Sequence, residues 1–206
     1  MVEFFRKGGI MMWGLLFLAV IGLIFIIERL ITLLIQARLN PRKFVDKLIS
    51  EIEKGGIKAG KKLCDETAAP VAKILAAGLA KVERGKEVVE DAITADASVE
   101  LAFLDRGMIY LSMVSTLAPI LGFLGTVSGM IGAFEAIARV GEVEPTVVAS
   151  GISEALITTA TGLTIAAPVV LFYAIFSSKI DAYSRDMEQS ANMLVEYLVE
   201  KKLIKG

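Results

Sequence analysis

One carboxylate stands where a carboxylate is expensive. The stretch Gly151-Ile152-Ser153-Glu154-Ala155-Leu156-Ile157-Thr158-Thr159-Ala160-Thr161-Gly162-Leu163-Thr164 is small, apolar and hydroxyl-bearing apart from Glu154, and no further charge follows until Lys179. Insertion scales put a charged side chain at mid-membrane at about +2.5 to +3.5 kcal/mol, so such a residue faces a bundle interior or water. At about 100° per helical residue, Thr158 lies about 40° from Glu154, Thr161 about 20° to the other side and Ile165 about 20° away. Ser150 and Gly151 lie on the same side, whereas Thr159 falls about 140° away. The carboxylate heads a polar stripe that could carry an ion. The alternative is solvation at the outer interface, because only ten residues separate Glu154 from Glu144.

A second row lies upstream. Gly122, Gly125, Gly129 and Gly132 are spaced to share one helix face, and Gly125 with Gly129 makes a G-x-x-x-G. In lipid, small residues allow the close backbone approach that holds helices together, so tight packing is the first reading. Ser112, Ser115, Thr116, Thr126 and Ser128 accompany the row. Pro119 here and Pro168 downstream each remove a backbone donor, which bends or loosens a helix.

The elements that must carry these residues are membrane helices. The chain of 206 residues is 55% apolar, with mean hydropathy +0.65. Three runs are uncharged: Ile10 to Ile27 (18 residues), Gly107 to Phe134 (28) and Ala155 to Ser178 (24). About 20 residues cross ~30 Å of hydrocarbon. The sequence therefore predicts an all-α integral membrane protein with three transmembrane helices. The first run is long for a signal-peptide core and is followed by Glu28-Arg29 with no small-residue cleavage site, so a retained helix is expected.

Glu28 to Arg106 differs in kind, with 14 Lys/Arg and 13 Asp/Glu. Its signals are helical: Asn40-Pro41 as a cap, then Phe44, Val45, Leu48, Ile49 and Ile52; a break at Gly55-Gly56; a start at Ala69-Pro70, then Val71, Ile74, Leu75 and Leu79; and Val88 to Leu104 leading into the second span. Lys/Arg near the span ends orient the chain. Arg29, Arg38, Arg42, Lys43, Lys47, Arg106, Lys179 and Arg185 outvote Arg6 and Lys7. The segment bearing Glu135, Arg139, Glu142 and Glu144 holds one basic residue. The expected layout is a periplasmic N-terminus (1–9), a first span (10–27), a cytoplasmic helical region (28–106), a second span reaching into the cytoplasm (107–137), a periplasmic loop (138–146), a third span (147–178) and a cytoplasmic C-terminal helix (179–206). About half of the resulting helical bundle would stand outside the membrane.

Composition excludes several chemistries. A net charge of -1 without a basic stripe gives no basis for nucleic-acid binding. The lone Cys64 allows no internal disulfide, and the absence of histidine removes His-ligated metals and histidine relays. Neither a nucleophile–base pair nor a phosphate or zinc motif is present, so no enzymatic activity and no cofactor or metal are expected. A solute transporter would carry inverted repeats, which are not visible, and a purely structural scaffold would leave Glu154 unexplained.

At these residues the chain resembles the MotA/TolQ/ExbB proton-channel family. The resemblance rests on Ala118 to Phe134, on Ala149 to Leu163 followed by Ala167-Pro168, and on Ala69-Pro70 with Ile74 and Gly78-Leu79. It spans roughly residues 65 to 185, and the N-out, three-span layout is similar to the ExbB and TolQ branch. It implies a ring of copies, five by family precedent, around the single helices of two ExbD- or TolR-type partners that bring the essential aspartate. A TonB- or TolA-like protein is a further implied partner, and the implied location is the inner membrane. The resemblance further implies that Thr126, Glu154 and Thr159 line the ion path, where the helical stripe favours Thr158 and Thr161 instead. Helices bent at Pro119 and Pro168 need not follow an ideal wheel, so Thr159 is taken first. The hydroxyl-rich path suits H⁺ or Na⁺, and the resemblance implies H⁺. The branch role, whether ExbB-like uptake or TolQ-like envelope maintenance, stays open.

Overall fold

The computed structural model describes residues 5, 8–36, 40–140 and 145–204. The side chains of Arg6, Lys7, Arg38, Glu142 and Glu144, used above for orientation, lie outside the described residues. Among the described residues the main α-helices are α1 Met11–Gln36, α2 Pro41–Asp65, α3 Pro70–Leu79, α4 Lys86–Asp105, α5 Met108–Val140 and α6 Pro145–Glu200, with a 3₁₀ turn at Val82–Arg84. No strand occurs among the described residues. Three stretches are long and apolar enough to cross a membrane, Met11–Leu33, Lys86–Arg139 and Val148–Glu200. The last two greatly exceed the ~20 residues a bilayer needs, so only their apolar parts can lie in hydrocarbon. The chain is an all-helical membrane protein.

The helices divide between two compact units. One comprises Met1–Arg29 and Gly107–Ile175, the other Leu30–Arg106 and Phe176–Gly206. In the second unit the local signals operate as expected. Asn40 caps α2, its side chain accepting from the Lys43 N–H at 3.3 Å, with Pro41 in the first turn. Gly56 has φ 72° and interrupts α2. Its consequence is a fold-back: Gly60 lies against Leu48 and Ile52, which a straight helix would hold up to about 18 Å away along its axis. Phe44, Val45, Leu48, Ile52, Val71, Ile74, Leu75 and Leu79 are all buried. The Lys73 ammonium donates to Glu100 at 2.8 Å across α3 and α4, and the Tyr183 hydroxyl donates to the Leu33 carbonyl at 3.1 Å.

Cys64 is buried in this unit. Burial, and then the neighbouring Asp65 carboxylate, push its thiol up to about 12. The thiolate is the reactive form, so at pH 8 the native chain should alkylate with iodoacetamide on the order of 1000-fold more slowly than the unfolded chain. Equal rates with and without denaturant would contradict this burial.

In the first unit α1, α5 and α6 pack together. Beyond Met108 at its start, the buried positions of α5 are Leu111, Val114, Ala118, Gly122, Gly125, Gly129 and Ala133. They advance by three, four and four residues, twice over, close to the natural period of a straight helix. The large side chains off this seam, among them Ile120, Phe123, Ile131 and Phe134, are exposed, as are Trp13, Phe17 and Leu23 on α1. Arg29 is an exception at the end of the first apolar run. It is buried beside Gly107, with its Nε 2.6 Å from the Glu28 carboxylate, so an ion pair rather than water meets its charge. The expected run of the fourth helix into the second span is interrupted by a two-residue turn at Arg106 and Gly107, although Arg106 keeps helical dihedrals (φ -53°, ψ -36°). α6 continues without a break through Pro168 and Lys179 to Glu200.

Candidate functional site

The seam between α5 and α6 is built on absent side chains. A Cβ on Gly122 would stand 3.1 Å from the Thr158 carbonyl and 3.3 Å from the Gly162 Cα. One on Gly129 would stand 2.8 Å from the Gly151 carbonyl, and one on Gly162 would stand 2.5 Å from the Ala118 carbonyl. These are backbone-on-backbone contacts, which only glycine permits. Gly125 receives the side chain of Thr158 instead. Gly132, expected on the same face, meets nothing within 4 Å. The seam advances by four residues from Gly129, so Ala133 takes the contact, facing Gly151. The three-, four- and three-residue spacing of the glycines suggested a four-membered row; the true contact row drifts off its last member.

The hydroxyls of α6 separate by direction. Thr158 is fully buried, and its Oγ1 donates to the Ala155 carbonyl at 2.9 Å. It sits in the seam and not on an accessible edge. Thr159 is half-buried, and its Oγ1 donates across the seam to the Gly122 carbonyl at 3.0 Å. An interhelical hydrogen bond of this kind is worth about 0.6 kcal/mol in measured membrane proteins. Thr126, one turn beyond Gly122 on α5, is half-buried and donates to the Phe123 carbonyl at 2.6 Å. Thr161 donates to Ile157 at 2.7 Å and Thr164 to Ala160 at 2.7 Å. Each of these hydroxyl protons is held by a backbone carbonyl, which leaves the oxygen lone pairs free to accept.

The position of α1 sorts these groups into two edges. The turn before α1 touches α6 where Gly8 meets Ile157 and Gly9 meets Glu154, and α1 itself does so where Gly22 meets Val169. It touches α5 where Gly14 meets Leu121 and Gly22 meets Val114. Thr159 lies about 140° around α6 from Glu154, and Thr126 about 140° around α5 from Leu121. Thr126 and Thr159 therefore share the edge away from α1. Glu154 lies on the opposite edge, against the turn that precedes α1, and Thr161 lines an open groove with Leu156 and Ile165. The wheel set Thr158 on one stripe with Glu154 and Thr161 but could not show that Thr158 is consumed by packing. The start of α1 had carried no candidate residue in the sequence; Gly8-Gly9 was the available signal.

Pro119 and Pro168 both lie inside helices that continue through them. Outside this region, a groove of about 470 Å³ in the second unit, lined by Ile74, Glu90, Thr94, Met187 and Asn192 among others, holds none of the candidate residues. No cluster of His, Cys, Asp or Glu among the described residues could hold a metal ion.

The chain is similar to known proteins. Residues 66–189 match the MotA/TolQ/ExbB proton channel family. The chain is 30% identical over 180 residues to a putative biopolymer transport protein ExbB homolog of Methanothermobacter thermautotrophicus, covering 87% of this chain and 64% of that protein. It is 33% identical over 184 residues to a putative biopolymer transport protein ExbB-like 1 of Synechocystis, covering 86% of this chain and 71% of that protein. It is 41% identical over 81 residues to the biopolymer transport protein ExbB of Salmonella typhimurium, covering 39% of this chain and 33% of that protein. With a glycine-built seam, intramembrane hydroxyls, a lone carboxylate and a family match over more than half its length, this chain belongs to the MotA/TolQ/ExbB proton channel family, with ExbB-like relatives.

Proposed function

We infer that this chain is the ring-forming subunit of a proton-driven motor in the inner membrane. Copies of it, five in the ring, surround the single-span helices of two ExbD- or TolR-type partners. Thr126 and Thr159 line the wall facing those helices, Glu154 stands near the outer mouth, and Thr158 serves packing. The N-terminus and the segment joining α5 to α6 face outward; the charged region and the C-terminus face the cytoplasm. The observation that supports this reading is the Thr159 hydrogen bond to the Gly122 carbonyl, one helical turn before Thr126.

Protons enter from outside past hydroxyl lone pairs and neutralise the partner's aspartate. The altered charge shifts the partner helix in the ring, and the protons leave inward. Each elementary charge moved releases ~2.3 kcal/mol per 100 mV, so a few per step suffice for mechanical work on an envelope partner of TonB or TolA type. The chain brings one intramembrane carboxylate and no histidine, so it should conduct poorly without its partner. The test uses cells carrying the partner: Glu154→Ala and Thr159→Ala should each depress energised activity, and activity that survives both changes sinks the assignment.

A further inference from the structure

The turn that precedes α1 is packed against Glu154. Gly9 has φ +64°, a conformation that L side chains rarely adopt, and a Cβ there would collide with Glu154 Oε1. Two independent constraints thus meet at one residue. The turn is also internally bonded: the Met12 N–H donates to the Gly9 carbonyl at 3.3 Å and the Trp13 N–H to the Ile10 carbonyl at 3.2 Å. Gly8 completes the seat against Ile157, where a Cβ would stand 3.3 Å from Cγ2. The Glu154 side chain is accordingly only half-exposed although it lies nine residues from the start of α6.

We propose that the Gly8-Gly9 turn is the seat of Glu154, with Gly9 the positioning residue that fixes the carboxylate and the turn its outer cover. The inference deepens the reading of Glu154 as part of the ion path. Any ion reaching the carboxylate from the outer end passes this turn or waits for it to lift. Gly9 touches no reacting atom; it acts through Glu154.

The test is carboxyl labelling of the purified full-length chain in lipid nanodiscs with dicyclohexylcarbodiimide, the adduct at Glu154 being quantified by mass spectrometry. Gly9→Ala meets both the backbone penalty and the collision, and should speed labelling roughly tenfold. Gly8→Ala would meet Cγ and Sδ of Met12 and Cγ2 of Ile157 rather than Glu154, and should stay within about twofold of the native rate. Equal labelling in the native chain and Gly9→Ala overturns the proposal. Hydrogen exchange provides a measurement that needs no change at Gly9: Glu154→Ala should speed exchange of the Met12 and Trp13 amides, and unchanged exchange also overturns it. Proton flux into vesicles holding the chain with its single-span partner separates the two ideas. Flux untouched by Glu154→Ala while Gly9→Ala still accelerates labelling refutes the ion-path role alone; flux lost while labelling is unaltered refutes the seat alone.

Discussion

Gly162→Val should prevent the membrane unit from forming its native helix pair. A Cβ at position 162 would stand 2.5 Å from the Ala118 carbonyl and 3.1 Å from the Gly122 Cα. Neither neighbour is a side chain that can rotate away, so α5 and α6 must separate. Overpacking a well-fitted site costs about 1–3 kcal/mol even where side chains can yield, and this site lies at the rigid end of that range or beyond it. Separation would also break the Thr159 bond to Gly122. A loss of about 3 kcal/mol lowers Tm by roughly 6–12 °C for a chain of this size, which a thermal-shift assay on the purified protein reads directly. Gly132→Val is the matching control, because Gly132 has open space around it. A Gly162→Val protein that melts with the native one would mean that the seam is not built as described.

Glu154→Gln should cut proton flux about tenfold or more in vesicles holding the chain with its single-span partner. Glutamine keeps the shape and most hydrogen-bonding capacity of the side chain while removing its charge. A fixed charge in a low-dielectric passage raises the local concentration of the opposite ion by about 10- to 1000-fold, and that enrichment is what the substitution removes. Glu154→Ala should be no better than Glu154→Gln if charge is the feature used. Should Gln conduct like the native residue while Ala fails, the side chain would be serving as a hydrogen-bonding spacer, and the electrostatic account would be wrong. Neither change should affect Gly162 packing, since Glu154 lies on the α1 edge of α6 and not in the seam.

The two substitutions differ in how legible their targets were. Everything governed by near neighbours along the chain could be read directly. The Asn40 cap, the proline starts at Pro41 and Pro70 and the break at Gly55-Gly56 depend on a few consecutive residues. The apolar runs were equally plain, because a bilayer requires length and hydropathy and little else. Glu154 announced itself because a buried charge is costly wherever the helix turns.

The assignment of faces was not legible. A helical wheel orders side chains around an axis but does not say which direction holds a neighbour. Thr158 and Thr159 are adjacent, both hydroxyl-bearing and both in one apolar run, yet one is consumed by Gly125 and the other bridges to Gly122. Gly129 and Gly132 look alike in sequence, and only Gly129 meets backbone. Gly9 stands some 145 residues from Glu154, so no local pattern links them. The sequence by itself determined that three helices are long and apolar enough to cross a membrane and that one carries an isolated carboxylate, since both follow from the cost of polar groups in hydrocarbon. Tertiary packing alone decided that Thr126 and Thr159 share an edge, that Thr158 lies in the seam and that the start of α1 covers Glu154, because these depend on where a second and third helix approach.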